Sequence, residues 1–340
     1  MPPSPLTVTD VARAAGVSRA TVSYVLNGRR DVRVSEPTRE RVIETARRLG
    51  YVGSPAARAL RSGRGDVVLL LVPDWEVAGQ FGVLLEEIGR LVAKYGLVCL
   101  RYEGEHWRGS LNKLLGRIPS ACVITFDVLH DDDAQALSSA GVPEVSAQIL
   151  DRPGKPHNIA LGQDTIVEAQ VEHLLGEGYQ SLAYLATDEP RGAGFINARI
   201  DAFHRICAAR GILDPRSAIV SPSVESFSET IEEWSCAQDE PLGIVAWNDI
   251  TALGILSAAQ HLAIAVPERL GVMGGDNTTV AALANPGISS VRLDLPSEAE
   301  QIALRVAETV GYEPGGHTGS APHSPVEVIR RASTHRVGNA

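Results

Sequence analysis

From Asp66 to Thr334 the chain alternates short apolar runs with amphipathic stretches, and few architectures accept that order. Strand-length runs occur at "DVVLLLVPD" (66–74), "LVCLRYEG" (97–104), "ACVITFDVL" (121–129), "VPEVSAQIL" (142–150) and "SLAYLATD" (181–188). They continue at "SAIVSPS" (217–223), "PLGIVAWND" (241–249), "RLGVMGGDN" (269–277), "ISSVRLD" (288–294) and "VEVIRRAST" (326–334). Helical periodicity fills most gaps, at 81–96, 106–118, 132–141, 166–179, 197–211, 250–262 and 297–310. Strands alternating with helices predict parallel, doubly wound sheets. One sheet of so many strands would be large, so two similar α/β lobes with a cleft between them fit better. In such sheets ligands bind outside the carboxyl ends of the strands.

Residues 1–65 read differently. They hold 12 Arg, no Lys and five acids, a net +7. The whole chain has 31 basic and 41 acidic residues, so the remainder, with 19 and 36, carries −17. A basic head on an acidic body points the head toward a polyanion. Thr9 is placed to cap a helix with Val11, Ala14 and Ala15 inward, and Gly16 to end it, since glycine takes the left-handed turn without steric cost. Ser18 caps a second helix with Val22, Val25 and Leu26 inward. Ser35 caps a third, with Pro37 in its first turn, Val42, Ile43, Ala46 and Leu49 inward, and Gly50 after it. Two helices joined by a glycine-containing turn form a helix-turn-helix pattern.

The segments "VTDVARAAGVSRATVSYVLNG", "VSEPTRERVIETARRLGY" and "AARALRSG" together resemble the LacI/GalR family of bacterial transcription regulators. The resemblance extends over nearly the whole chain through "AWNDITALGIL", "RLGVMGGDN", "NPGISSVRLD" and "IRRAST". It implies an all-α helix-turn-helix head over 1–53, a hinge helix or linker over 54–64, and a two-lobed periplasmic-binding-protein-like sensor over 65–340. In the head it places Arg19, Ala20 and Tyr24 on base edges: Arg19 on a guanine, Ala20 on a thymine methyl. It places Thr7, Ser18, Thr21, Ser23, Asn27, Ser35 and Thr38 on phosphates or helix caps, which fix register without reading sequence. The short hinge "SPAARALRSGR" is marginal as an isolated helix. The resemblance implies that it folds on DNA, pairs with its twin and drives Leu60 into the minor groove, with Arg58 and Arg61 beside it on phosphates.

In the sensor the resemblance assigns effector contacts to Arg199, Asn248 and Asp276. Trp75, Phe81, Phe227 and Trp247 are candidates for an aromatic face, each equally a core residue. The chain departs from the family where an acid commonly precedes the helix at 166–179: Gly162 stands there, followed by Gln163. The strand at 142–150 also lacks its usual terminal acid and ends in Gln148. A sugar is the first expectation for the effector. A nucleoside or other metabolite, a co-repressor, or no ligand at all are the alternatives.

No G-x-G-x-x-G, G-x-x-x-x-G-K-[ST] or G-x-S-x-G occurs, so the familiar dinucleotide, P-loop and serine-hydrolase chemistries have no support. Cys99, Cys122, Cys207 and Cys236 form no C-x-x-C and read as buried free thiols in a reducing compartment. No metal or cofactor is expected, and His317 and His323 belong to a Gly- and Pro-rich loop at 311–325. The absence of an apolar leader and of an 18-residue apolar run predicts a cytoplasmic protein without membrane contact. With no heptad helix at the carboxyl end, a homodimer on double-stranded operator DNA is expected over a coiled-coil tetramer.

Overall fold

The computed structural model describes residues 6–26, 32–51, 65–75, 79–104, 107–150, 162–236, 240–312 and 326–335. The chain divides into two compact units, Met1–Asp66 with Ile118–Ala121, and Val67–Arg117 with Cys122–Ala340.

The first unit contains α1 (Val8–Ala15), α2 (Arg19–Leu26) and α3 (Glu36–Leu49). Gly16 and Gly50 end α1 and α3 at φ 65° and 69°, in the left-handed region where a side chain would be strained. The α1 cap is Thr7 and not Thr9, because Asp10 sits three residues on. The Thr7 N–H and hydroxyl donate to its Oδ2 at 2.9 and 2.7 Å. Ser18 caps α2, its Oγ accepting the Thr21 N–H at 3.0 Å. The three helices close over Val11, Ala12, Ala15, Val22, Val25, Val42 and Ala46. Three expected core residues point outward: Ala14 is exposed, Leu26 is 38% exposed and Ile43 41%. Ala12 and Thr45 are buried instead. The stripe on α3 runs 42, 45, 46, 49, so Thr45 falls on it by position while Ile43, one residue after Val42, is turned about 100° away.

The second unit holds two four-stranded sheets, ordered β2-β1-β3-β4 and β6-β5-β7-β8, and an antiparallel pair β10-β9. The first sheet comprises β1 (Val67–Val72), β2 (Val98–Glu103), β3 (Ser120–Thr125) and β4 (Glu144–Ser146). The second comprises β5 (Ser181–Thr187), β6 (Arg216–Val220), β7 (Leu242–Ala246) and β8 (Leu270–Met273), every pair parallel. The pair is β9 (Ser290–Leu293) with β10 (Val326–Ile329). The helices are α4 (Gly79–Ala93), α5 (Leu111–Leu115), α6 (Asp131–Ala140), α7 (Gln163–Gly176), α8 (Ala193–Ala209), α9 (Val224–Cys236), α10 (Asp249–His261), α11 (Thr279–Leu283) and α12 (Leu295–Thr309).

The second sheet shows why its strands read as unbroken apolar runs. Ala183 and Leu185 of β5, with Leu242, Ile244 and Ala246 of β7, enter the core beneath α9 and α10. Leu182, Tyr184 and Ala186, with Val245, enter the opposite core beneath α7 and α8. Alternate side chains face opposite sides of a strand, and here both sides are covered.

Several expected elements differ. The sequence reading places no helix between the strands at 217–223 and 241–249, yet α9 occupies Val224–Cys236. Phe227, Ile231 and Trp234 form its buried face, the i, i+4, i+7 spacing of an amphipathic helix. The strand expected over 142–150 shortens to β4, and the helix expected over 106–118 to α5. The last run is strand only to Ile329. Beyond it Ser333 takes over pairing: its carbonyl accepts the Val272 N–H at 3.0 Å, and its hydroxyl donates to the Val272 carbonyl at 2.6 Å. Of the four thiols, Cys122 and Cys207 are buried as expected, whereas Cys99 is half-buried and Cys236 at the end of α9 is exposed. Burial pushes Cys122 up to about 12, and Cys99 and Cys207 to about 11, so these three stay protonated at neutral pH. The loop histidines His317 and His323 lie outside the described residues.

The carboxyl-terminal segment is anchored on α7 by two titratable groups. His173 Nε2 bonds Thr334 Oγ1 at 2.7 Å, and burial holds the imidazole below its ordinary value of 6.5. Arg330 donates to Glu177 at 2.8 Å and holds that carboxyl below its ordinary range. A histidine whose folded pKa is depressed stabilises the fold fully above 6.5. That contribution falls as pH drops below 6.5, because the unfolded chain binds the proton first. The Glu177 contribution is lost only at lower pH, as acid titrates the carboxylate through its folded value. Thermal melts should therefore show Tm falling in two steps on acidification. His173→Gln, whose amide still reaches the Thr334 hydroxyl, should erase the step that begins near neutrality and leave the lower one. An unchanged pH profile in that variant refutes the assignment.

Candidate functional site

The second unit encloses a cavity of about 330 Å3 between elements of its two lobes. Its polar wall comes from the carboxyl ends of the second sheet and from the helices beside them. Asn248 follows β7 and caps α10, its Oδ1 accepting the Thr251 N–H at 2.7 Å. Asp276 lies on the loop after β8. Arg199 extends from α8 and is 7% exposed. Its Nε donates to Gln163 Oε1 and its Nη1 to the Trp247 carbonyl, both at 2.8 Å. The guanidinium also stacks 4.6 Å from the Trp247 ring centroid. Behind it, burial pushes the Tyr184 phenol above its ordinary value, with Arg199 opposing that rise.

The loop that carries Asp276 is held by one buried carboxylate. Asp249 Oδ1 accepts from the Gly275 N–H at 3.1 Å, the Asp276 N–H at 3.3 Å and Ser290 Oγ at 2.6 Å. Its Oδ2 accepts from the Thr278 N–H at 2.6 Å and the Thr278 hydroxyl at 2.8 Å. Ser290 Oγ in turn accepts the N–H groups of Asp276 and Asn277. Gly274 makes room for this arrangement, since a Cβ there would stand 2.2 Å from Asp249 Oδ1. The adjacent residues Asn248 and Asp249 thus divide the work: the first caps the helix, the second fixes the facing loop.

The apolar wall combines both lobes. Phe81, Leu84 and Ile149 face Phe195, Ile166 and Leu293. Trp75 stands behind this wall, with its ring 5.6 Å from Phe81 and 4.7 Å from Phe195, both edge-on. Gln80 and Arg191 carry polar contacts between the lobes at the cavity. Gln80 Nε2 donates to the Asp276 carbonyl at 2.8 Å. Arg191 donates to the Trp75 carbonyl at 2.8 Å and pairs with Asp74 at 3.0 Å.

The structure therefore brings Phe81, Arg199, Asn248 and Asp276 to one cavity, with Trp75 one layer back. Phe227 is a correction. It is 4% exposed in the core beneath α9 and does not line the cavity. Its ring closes against Gly254 of α10, where a Cβ would fall 2.4 Å from it. Arg191 and Phe195, which also line the cavity, carry no motif in the sequence, and Gln163 stands out there only as following a departure from a family acid. That position was the available signal, since Gln163 both lines the cavity and orients Arg199.

In the head, Arg19 and Ala20 are exposed and Ser23 and Tyr24 half-buried on the side of α2 away from Val22 and Val25. Ser18 and Thr21 bond one another at 2.9 Å at the start of that helix, and Ser35 and Thr38 do the same at the start of α3. Asn27, Arg58, Leu60 and Arg61 lie outside the described residues.

A helix-turn-helix unit joined in one chain to a two-lobed, doubly wound unit with an interlobe cavity defines a DNA-binding regulator with a ligand-sensor fold. Residues 7–54 match the model for bacterial regulatory proteins of the lacI family, and 171–334 match that for a periplasmic binding protein-like domain. The chain is 30% identical to the HTH-type transcriptional regulator GntR of Pseudomonas aeruginosa over 309 residues, covering 89% of this chain and 87% of that protein. It is also 30% identical to the regulator GalS of Salmonella typhimurium, over 89% of each chain. Among solved structures, the lac repressor dimer bound to operator and the anti-inducer ONPF superposes with a TM-score of 0.76 at 22% identity, covering 97% of this chain and 99% of that one. A CelR–cellobiose complex gives 0.60 at 23% identity, over 96% and 99%. The chain belongs to the lacI family of bacterial regulatory proteins. It is a DNA-binding transcription regulator, and its relatives are regulators rather than enzymes. No helix among the described residues is long and apolar enough to cross a membrane.

Proposed function

We propose that the protein is a homodimeric repressor whose operator affinity is lowered by a sugar or sugar derivative bound in the interlobe cavity. The observation that carries this reading is the convergence of Arg199, Asn248 and Asp276 on one cavity with Phe81 opposite. Hydrogen-bonding groups opposed to an aromatic face suit a hydroxylated ring. In the head, Arg19 and Ala20 read bases while Ser18, Thr21, Ser35 and Thr38 hold phosphates or caps. Residues 54–64 act as the hinge, with Leu60 as its wedge and Arg58 and Arg61 on phosphates. A two-fold dimer reads a two-fold site only when its heads keep a fixed spacing. Ligand that draws the lobes together alters that spacing.

Linkage makes the proposal measurable. If ligand weakens operator binding, operator weakens ligand by the same factor, on the order of 5–150-fold for a typical coupling. A thermal-shift panel of monosaccharides and disaccharides finds the ligand, and calorimetry with and without operator measures the coupling. Arg199→Ala should abolish ligand response and keep operator affinity within about twofold. Equal ligand affinity for free and operator-bound protein refutes the scheme. A ligand that tightens the complex reverses the sign and makes the protein a co-repressed regulator.

A further inference from the structure

Arg191 belongs both to the cavity and to the seam between the lobes. It lines the cavity, yet its side chain is 54% exposed, so it stands at the rim. From the lobe of the second sheet it reaches the segment that follows β1 in the other lobe. Its Nη2 donates to the Trp75 carbonyl at 2.8 Å, and its Nε pairs with Asp74 Oδ1 at 3.0 Å. The guanidinium fork thus grips a side chain and the backbone beside it, a grip that a single ammonium does not reproduce. Beneath it an aromatic row crosses the same seam. Phe126 meets Phe81 at 5.2 Å, Phe81 meets Trp75 at 5.6 Å, and Trp75 meets Phe195 of the other lobe at 4.7 Å, all edge-on. The Trp75 ring is 8% exposed under this cover.

Arg191 lies on a tight turn, Pro190–Gly192, that runs without a break into α8 at Ala193. Phe195 and Arg199 follow on α8, four residues apart and so on one face of that helix. The rim contact, the aromatic seam and the buried Arg199 therefore belong to one continuous element, and a pull on one displaces the others.

We propose that Arg191 is a positioning residue of the sensor, a latch that holds the two lobes together over the cavity and lets go when they part. It sets the fraction of molecules whose lobes are together, and through α8 it ties that fraction to whatever Arg199 grips. Its effect on DNA rests on the reading that lobe position alters operator affinity. The Asp74 and Arg191 side chains are 56% and 54% exposed, and a pair so exposed adds little to folding and is screened by salt. Weakness suits a latch, because a contact made in one arrangement alone shifts the balance by its own small worth and stays reversible. Gln80, bonded to the Asp276 carbonyl across the same cavity, still links the lobes when Arg191 is removed.

Two measurements on the full chain test the latch. First, labelling with 5-fluorotryptophan gives a fluorine resonance for each of Trp75, Trp107, Trp234 and Trp247, assigned by Trp→Phe variants. A neutral gadolinium chelate then reports the exposure of each ring. Arg191→Ala should raise the chelate's effect on Trp75 by about twofold or more and leave Trp107 and Trp234, in the cores of the two lobes, unchanged. Arg191→Lys, which keeps the charge and loses the fork, should fall between. Sodium chloride at about 1 M, where screening acts within about 3 Å, should move the parent toward Arg191→Ala. Equal Trp75 exposure in the parent and Arg191→Ala overturns the latch. Changes at Trp107 and Trp234 as large as that at Trp75 also overturn it, since the lobes themselves would then be loosened. Second, fluorescence anisotropy without added ligand reads operator affinity. Because ligand that draws the lobes together is proposed to weaken operator binding, Arg191→Ala should tighten it by about threefold or more. Operator affinity that is unchanged or weaker while the seam opens upholds the latch and overturns the coupling proposed above.

Discussion

Replacing Asp249 with Ala should destabilise the second unit by at least about 3 kcal/mol, the largest single-residue effect expected in this molecule. Five donors converge on its two oxygens, three of them backbone N–H groups of the loop that carries Asp276. Each buried donor left without a partner costs about 1–3 kcal/mol, and entering water recovers only part of that. Urea unfolding monitored by circular dichroism reads the loss. Hydrogen exchange locates it: the amides of Gly275, Asp276 and Thr278 should exchange at least tenfold faster, while α7 and α8, on the opposite face of the sheet, keep their protection. Gly274→Ala reaches the same end by another route, since its methyl would collide with Asp249 Oδ1 at 2.2 Å. Loss below about 1 kcal/mol in Asp249→Ala would show that the hydrogen-bond cluster is dispensable.

Arg19→Ala should weaken cognate operator binding by about 1–3 kcal/mol, roughly 5–150-fold, and relax preference at one base pair. Arg19 is exposed in the first turn of α2, and its removal leaves the core of Val22 and Val25 intact. The folded stability of the head should not change, so circular dichroism melts serve as the control. Fluorescence anisotropy against cognate and scrambled duplexes separates base reading from phosphate attraction. A base contact is lost on the cognate site alone. A phosphate contact is lost on both and flattens the salt dependence. Equal losses on the two duplexes would move Arg19 from base reading to backbone anchoring.

Much of this architecture was legible in the chain. Gly16 and Gly50 mark helix ends because the left-handed turn excludes other residues at little cost only for glycine. Ser18 marks a helix start because its hydroxyl satisfies the free Thr21 N–H. The strands of the second sheet announced themselves as continuous apolar runs because both faces are covered. These are local effects, and local sequence carries them. The order of strands and helices also pointed to parallel pairing, as in the second sheet, but not to the antiparallel pair of β9 and β10.

The tertiary structure decided the rest. Phe227 and Phe81 are the same residue type in amphipathic helices; only packing sends one against Gly254 in the core and the other to the cavity wall. Ile43 and Thr45 exchange their expected places because a position on a helix stripe outweighs the hydrophobicity of one side chain. Gln163 stands 36 residues before Arg199, and Asp249 stands 41 before Ser290, so neither partnership has a signature in sequence spacing. The family resemblance marked Arg199 as a candidate contact. That its guanidinium is buried, held by Gln163 and the Trp247 carbonyl, is a property of the folded chain, because burial and hydrogen-bond direction exist only once distant segments meet.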